Sequence, residues 1–182
     1  MIDIRNITIS GGIGTGTTTL GKMLAEKLGW QFIESGEMFK NIHKELGIVE
    51  EEVGKRPDKL DIEFDTKMKK MLSDGEKQVI EGHLAGLNAK GITGVFKIRL
   101  FCEENGLDSV DTRAARVATR DGLSLDAALT HLREREQGNI AKYERMYGAN
   151  PYTDSSLYDL TINTFDHDQE GMLKLAYAAL EI

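Results

Sequence analysis

The sequence predicts an α/β fold in which helices cover a single parallel sheet. Three observations carry this. Short apolar runs alternate along the chain with longer stretches of helical periodicity, and parallel strands need such helical crossovers. A Gly/Thr-rich turn separates the first strand from the first helix. The 182 residues, 40% hydrophobic and 29% charged, suffice for one sizeable core and are too few for two ordinary domains.

The first strand is predicted over residues 2–10, with Ile4, Ile7 and Ile9 apolar, and runs into a loop at 11–18. A helix follows, with Leu20, Met23, Leu24, Lys27 and Leu28 at helical spacing, and Gly29 stops it. A short strand is expected at 30–33. Ser35 reads as the N-cap of a helix reaching Leu46, with Glu37 and Met38 in its first turn. Residues 48–57 look irregular. Leu60, Phe64, Met68 and Met71 form a stripe that predicts a helix over 58–72. Strands follow at 78–80 and 95–101, helices at 109–121 and 125–147, a strand at 160–162 and a closing helix at 168–180. The polar stretch 121–150 reads as a mobile cover rather than a second domain.

Composition excludes several classes. Two prolines and well-dispersed apolar residues exclude collagen-like and disordered chains. Cys102 is the only cysteine, so no disulfide forms within the chain and a reducing cytosol fits. A net charge of −7 argues against broad binding to nucleic acid or anionic membrane. No apolar run approaches the roughly 20 residues of a membrane-spanning helix, and Asp3 and Arg5 interrupt any signal-peptide layout. Four scattered histidines (43, 83, 131, 167) and one cysteine give no metal-ligand spacing.

The strongest local signal is Ser10-Gly11-Gly12-Ile13-Gly14-Thr15-Gly16-Thr17-Thr18-Thr19. Gly11, Gly16, Thr17 and Thr18 meet the pattern G-x-x-x-x-G-[KT]-[ST], between a strand and a helix as a phosphate-binding loop requires. Glycines let backbone N–H groups turn toward anionic oxygens, and the helix start adds partial positive charge. The Thr18 hydroxyl is placed to ligate a magnesium ion held on the phosphates. Thr17 replaces the usual Lys, so a cation has to come from elsewhere.

Two helices offer cations. Arg113, Arg116 and Arg120 fall near one face of the first. On the next, His131, Arg135, Gly138, Lys142 and Arg145 form a basic stripe opposite Leu125, Ala128, Leu129 and Leu132. Arg133 lies off that stripe, and Glu134, Glu136 and Glu144 also fit a salt-laced surface helix. Asp61 and Asp65, four residues apart, contact a sugar or base, or form a solvated acid pair. Met68, Met71 and Cys102 are expected in the core.

With this loop, Ser35-Gly36-Glu37-Met38-Phe39-Lys40, Glu81-Gly82-His83 and the Arg-rich helices, the chain resembles the nucleoside monophosphate kinases, in particular the short archaeal-type cytidylate kinases. Tyr147-Gly148 and Tyr158-Asp159-Leu160-Thr161-Ile162-Asn163-Thr164 extend the likeness nearly end to end. The resemblance implies a three-layer phosphate-loop kinase with a five-stranded parallel sheet of order 2-3-1-4-5 and a helical lid. It implies one domain over 1–182, with a nucleoside-monophosphate-binding segment at about 35–75 and the lid at about 121–150.

It further implies ATP with Mg²⁺ as donor, held by residues 11–19, with Arg116 and Asn163 at the donor base. Arg120, Arg133 and Arg135 would serve catalysis, Arg120 covering for the missing Lys. Ser35, Gly36, Lys40, Glu81, Gly82 and His83 would receive CMP or dCMP, and Glu81 would hold a magnesium-bound water. The partners are then small nucleotides, without nucleic acid or membrane, for a monomer in the cytoplasm. The chain departs from the family in having Glu37 for Asp, and Lys40 and His83 for Arg. Lys40 keeps charge without the bidentate fork, and His83 is charged only when protonated. A kinase for UMP, AMP or a non-nucleotide acceptor, a silent nucleotide-binding module, and RNA-linked action are the alternatives.

Overall fold

The computed structural model describes residues 3–46 and 57–180. Of the stretch expected to be irregular, 48–57, only Pro57 lies within them. Five parallel strands form the central sheet: β1 (Asn6–Gly11), β2 (Gln31–Glu34), β3 (Gln78–Glu81), β4 (Val95–Phe101) and the last strand, β7 (Leu160–Asn163). Their order is β2-β3-β1-β4-β7, so the expected 2-3-1-4-5 order holds among the sheet's own strands. Between β4 and β7 lies a separate antiparallel pair, β5 (Glu103–Glu104) and β6 (Leu107–Asp108). It turns on Asn105 and Gly106, both at positive φ, the residue pair such tight hairpins favour.

The helices are α1 (Thr17–Leu28), α2 (Ser35–Leu46), α3 (Asp58–Asp74), α4 (Ala85–Asn88), α5 (Val110–Asp121), α6 (Leu125–Tyr147) and α7 (Gln169–Ala179). None of the described helices is long and apolar enough to cross a membrane. Strand alternation divides the core between the two sheet faces. Val79 joins Ile7, Ile9, Leu20, Leu24 and Ala176 between the sheet and α1 and α7. Its neighbour Ile80 joins Phe64, Met68 and Leu72 under α3. A third cluster joins Ile13 of the loop to Ala114 and Val117 of α5 and Ala128 and Leu132 of α6.

Several boundaries differ from expectation for local reasons. β1 starts at Asn6, where the ladders to Gln78 and Val95 begin, and Arg5 before it still bonds Gly94 and Lys77 through its backbone; the strand extends to Gly11, which pairs with Leu100. β2 is shifted to Glu34, which pairs with Glu81. Ser35 is therefore the first helical residue rather than the cap before it. α4 is an additional single turn, docked where Ser10 Oγ accepts the Gly86 N–H at 3.0 Å and donates to the Gly82 carbonyl at 2.9 Å.

Asn6 ties β1 to the turn between α3 and β3. Its amide donates to the carbonyls of Leu72 and Gly75 at 3.0 and 2.7 Å, and its oxygen accepts the Gln78 N–H at 3.1 Å. Asn6→Ala is expected to lower stability by about 2–4 kcal/mol in urea melts, since it orphans buried backbone groups. A loss below about 0.5 kcal/mol would show that the turn finds other partners.

Candidate active site

In a parallel sheet, ligands sit beyond the carboxyl ends of the strands where strand order reverses. β1 occupies that place, with β3 on one side and β4 on the other. The Gly-rich loop leaves its end and leads into α1. Gly14 and Gly16 take left-handed φ values of 78° and 93°. A Cβ on Gly14 would meet the Arg113 carbonyl oxygen at 2.6 Å, so both backbone conformation and space require glycine there. The loop opens into a cleft of about 1370 Å³ lined by Gly12, Ile13, Gly14, Thr15, Gly16, Thr17, Thr18 and Thr19. Gly11 belongs to the strand behind it.

Arg113 fixes the loop from behind. Its side chain is only 4% exposed, so it is buried behind the loop rather than offered to the cleft as a cation. Nη1 donates to the Ile13 carbonyl at 2.8 Å and to Glu136 Oε1 at 2.6 Å, and Nη2 to Glu136 Oε2 at 3.0 Å and Asp108 Oδ2 at 2.6 Å. Nε donates to Asp108 Oδ1 at 3.0 Å, so all five guanidinium N–H groups are used. Burial alone would lower its pKa, but the bonds to Glu136 and Asp108 outweigh burial and raise it. Glu136 Oε1 also accepts the Ile13 N–H at 2.8 Å. Glu136 is therefore a bridge from α6 to the loop, not part of a surface ion-pair lattice.

α6 splits the expected basic stripe. His131 and Arg135 line the cleft, as do Asn139 and Tyr143, which the sequence argument did not single out. Arg133 is exposed and outside the cleft. Further along, buried Lys142 stands 2.6 Å from Asp61 Oδ2, and Arg145 grips Asp58 at 2.5 and 2.8 Å. Tyr147 donates its hydroxyl to Asp65.

Asp61 and Asp65 are 3% and 5% exposed, so the solvated acid pair is overturned. Burial raises the Asp65 pKa against the opposing hydrogen bonds from Tyr147 and Asn88. Both acids fall at helical spacing with Phe64, Met68 and Leu72, on the buried face of α3. That placement was readable in the sequence.

The wall of the cleft expected to receive the acceptor is lined by Ser35, Gly36, Phe39 and Lys40 from α2, Phe64 and Met68 from α3, and Glu81, Gly82 and His83 at the end of β3. Glu81 accepts the Thr17 hydroxyl at 2.8 Å, so the position that usually carries Lys is occupied by a neutral donor to a carboxylate. Burial pushes the Glu81 pKa up to about 7, the Thr17 bond opposes it, and Glu34 across the strand pair adds to the rise. His83 Nδ1 lies 3.0 Å from the Gly11 carbonyl. A carbonyl only accepts, so Nδ1 carries the proton and Nε2 is bare. Burial drives the His83 pKa down to about 4, despite the Gly11 bond, and Arg135 lowers it further. At neutral pH His83 is an uncharged contact in the cleft and cannot replace an Arg as a phosphate cation.

On the wall expected to hold the donor, Arg116 lines the cleft and donates to Thr164 O and Oγ1 at 2.8 and 3.0 Å. Arg120 also lines it, in a two-point pair with Asp121 at 2.7 Å. Asn163 lies outside. It is bonded to the Glu103 N–H and carbonyl at 2.9 and 2.8 Å and holds the β5–β6 hairpin. His167, Asp168 and Gln169, at the start of α7, line the cleft in its place.

The arrangement is therefore a phosphate loop facing one continuous cleft, with cations from α2, α5 and α6. The cytidylate kinase-like family matches residues 6–166 of the chain. The chain belongs to that family. Its relatives there include the cytidylate kinase of Pyrococcus horikoshii, 36% identical over 178 residues that cover 96% of this chain and 88% of that protein. The cytidylate kinase of Haloarcula marismortui is 32% identical over the same length and with the same coverage. Among solved structures, a gluconokinase from Sinorhizobium meliloti covers all of this chain and 94% of its own at a TM-score of 0.62 and 16% identity, a likeness of fold.

The two buried titratable groups give opposite signatures. Glu81 holds its proton more tightly in the folded protein, so it contributes stability in acid that is lost as pH rises from 4.5 through about 7. His83 binds its proton less tightly when folded, so its contribution is present above 6.5 and lost as pH falls toward about 4. Relative to the unmodified chain, Glu81→Gln is expected to gain up to about 2–3 kcal/mol between pH 5 and 8. His83→Asn, which keeps a donor for Gly11, is expected to gain as pH drops from 7 to 4.5. Thermal melts across pH read both, and parallel curves for variant and unmodified chain would contradict the assignment.

Proposed function

We propose that this chain transfers the γ-phosphoryl group of Mg²⁺-bound ATP to CMP or dCMP. The observation that carries the reading is the single cleft of about 1370 Å³, which joins a phosphate loop to an acceptor pocket. It exceeds the roughly 300–1,000 Å³ of a site for one drug-sized ligand.

The loop N–H groups and the start of α1 hold the donor phosphates. Arg116 and the 167–169 segment border the donor base, and Lys40 meets the acceptor phosphate, with Ser35 and Gly36 beside its sugar or base. Arg135, projecting from α6 over the cleft, stabilises charge on the moving group, and Arg120 supplements it. Both reacting phosphates arrive from solvent, and the cover at 121–150 excludes water so that phosphate rather than hydroxide attacks. The segment at 35–75 is the acceptor arm.

The residues fit a phosphate-held magnesium ion. Thr18 lines the cleft at the head of α1, and Glu81 is near the loop through Thr17. Among the described residues no group of three acids, histidines or cysteines stands ready to cage a metal, which suits an ion that takes its other ligands from phosphates and water. When bound, the ion would supply positive charge that offsets the charge of the donor phosphates. With one cysteine, a net charge of −7 and small-molecule substrates, we assign the protein to the cytoplasm as a monomer that does not act on nucleic acid or membranes.

A coupled ADP-release assay with ATP, Mg²⁺ and CMP, dCMP, UMP, AMP or GMP tests the reading. Turnover concentrated on CMP and dCMP is expected. ATP binding without turnover of any acceptor would leave a silent nucleotide-binding module, and turnover of another acceptor would reassign the substrate. In the same assay Arg135→Ala is expected to lower kcat by about 100-fold, while Arg133→Ala stays within about threefold. Equal losses would mean that Arg133 reaches the cleft during the reaction.

A further inference from the structure

Asn88 closes α4, is 4% exposed and lines the cleft. Its amide nitrogen donates to Asp65 Oδ1 at 2.8 Å. The other Asp65 oxygen takes the Tyr147 hydroxyl from the end of α6. A carboxylate only accepts, so the Asn88 amide is fixed with nitrogen toward Asp65. Its oxygen must then point the other way. Among the described residues no donor reaches that oxygen, and it is the polar atom Asn88 offers to the cleft.

The surroundings suit a planar base. Phe39 and Phe64 stack with ring centroids 3.8 Å apart and, with Met68, form apolar walls of the same cleft. Lys40, next to Phe39, marks the phosphate end. Near Asn88 the cleft is also lined by the carboxylates of Asp61 and Asp65, which are acceptors and bring no donor of their own. The Asn88 oxygen, the acceptor there without a donor, rewards a base that presents an N–H group. Cytosine presents a 4-amino group, whereas uracil places a carbonyl oxygen at the same position and would face the Asn88 oxygen lone pair to lone pair.

We propose that Asn88 determines acceptor specificity, its carbonyl oxygen accepting a hydrogen bond from the 4-amino group of the pyrimidine, with Asp65 and Tyr147 as the residues that position it. The inference rests on the cytidylate reading of the cleft and adds to it the atom that distinguishes cytosine from uracil.

The test crosses one substrate change with one protein change. CMP is compared with its 4-deamino analogue, pyrimidin-2-one riboside 5′-monophosphate, on the unmodified chain and on Asn88→Ala. The unmodified chain is expected to lose at least about tenfold in kcat/KM when the amino group is removed. Asn88→Ala is expected to use both compounds within about twofold of each other, with KM for ATP unchanged. A merely structural role would move ATP and both acceptors together. Asn88→Ser, whose hydroxyl still donates to Asp65 but leaves no carbonyl for the base, gives the same comparison if the alanine variant does not fold. Two results overturn the proposal: an unmodified chain indifferent to the amino group, or variants that discriminate as well as the unmodified chain. Absence of any CMP turnover by the unmodified chain refutes the cytidylate reading itself, so the two failures are separate.

Discussion

A guanidinium sealed inside a protein needs acceptors for each of its five N–H groups. Arg113 finds them in Glu136, Asp108 and the Ile13 carbonyl. Those partners come from α6, the β5–β6 hairpin and the phosphate loop, while Arg113 itself belongs to α5. Burying one side chain thus obliges four separate parts of the chain to meet at one point. Removing Glu136 would leave two guanidinium N–H groups and the Ile13 N–H without their acceptor, each at about 1–3 kcal/mol where the donor is buried. The loop's shape and the placement of α6 are consequently one problem with one solution.

That solution explains how Arg135 comes to face the cleft while Arg133 does not. Glu136 is pinned to the loop, which fixes the rotation of α6 about its own axis. Arg135, one residue earlier, then turns toward the cleft, and Arg133, two residues further back, turns to solvent. The far half of the same helix is held by Lys142 on Asp61 and Arg145 on Asp58. α6 therefore ties the loop to α3: its middle grips the loop through Glu136 and its C-terminal end grips α3, and residues between them line the cleft.

Much of this was legible in the sequence because it follows from periodicity. The five sheet strands, the major helices, the Gly29 stop and the loop were each written in local pattern. The hairpin was also written there, in Asn105-Gly106, and so was the burial of Asp61 and Asp65, which share their helix face with Phe64, Met68 and Leu72. What the sequence withheld were partnerships across long separations. Nothing local to Arg113 points to Glu136, 23 positions away, or tells Lys142 apart from its exposed neighbours. Asn163 sits in a family-like motif yet serves the hairpin, because the side chain that ends β7 is within reach of Glu103. His83 looked like a weakened cation; its bond to the Gly11 carbonyl and its burial make it a neutral one-way acceptor.

In the proposed reaction one cleft, organised by the Arg113–Glu136 knot, holds donor and acceptor nucleotides together across a loop without Lys. Calorimetric titration with a bisubstrate compound, adenosine and cytidine joined 5′ to 5′ through five phosphates, tests it most directly. Binding of one molecule per chain, abolished by saturating ATP and equally by saturating CMP, is the expected result. Binding that only one of the two nucleotides displaces, or none at all, would contradict the claim, because the two ends of the cleft would then not be spanned by a single phosphate chain.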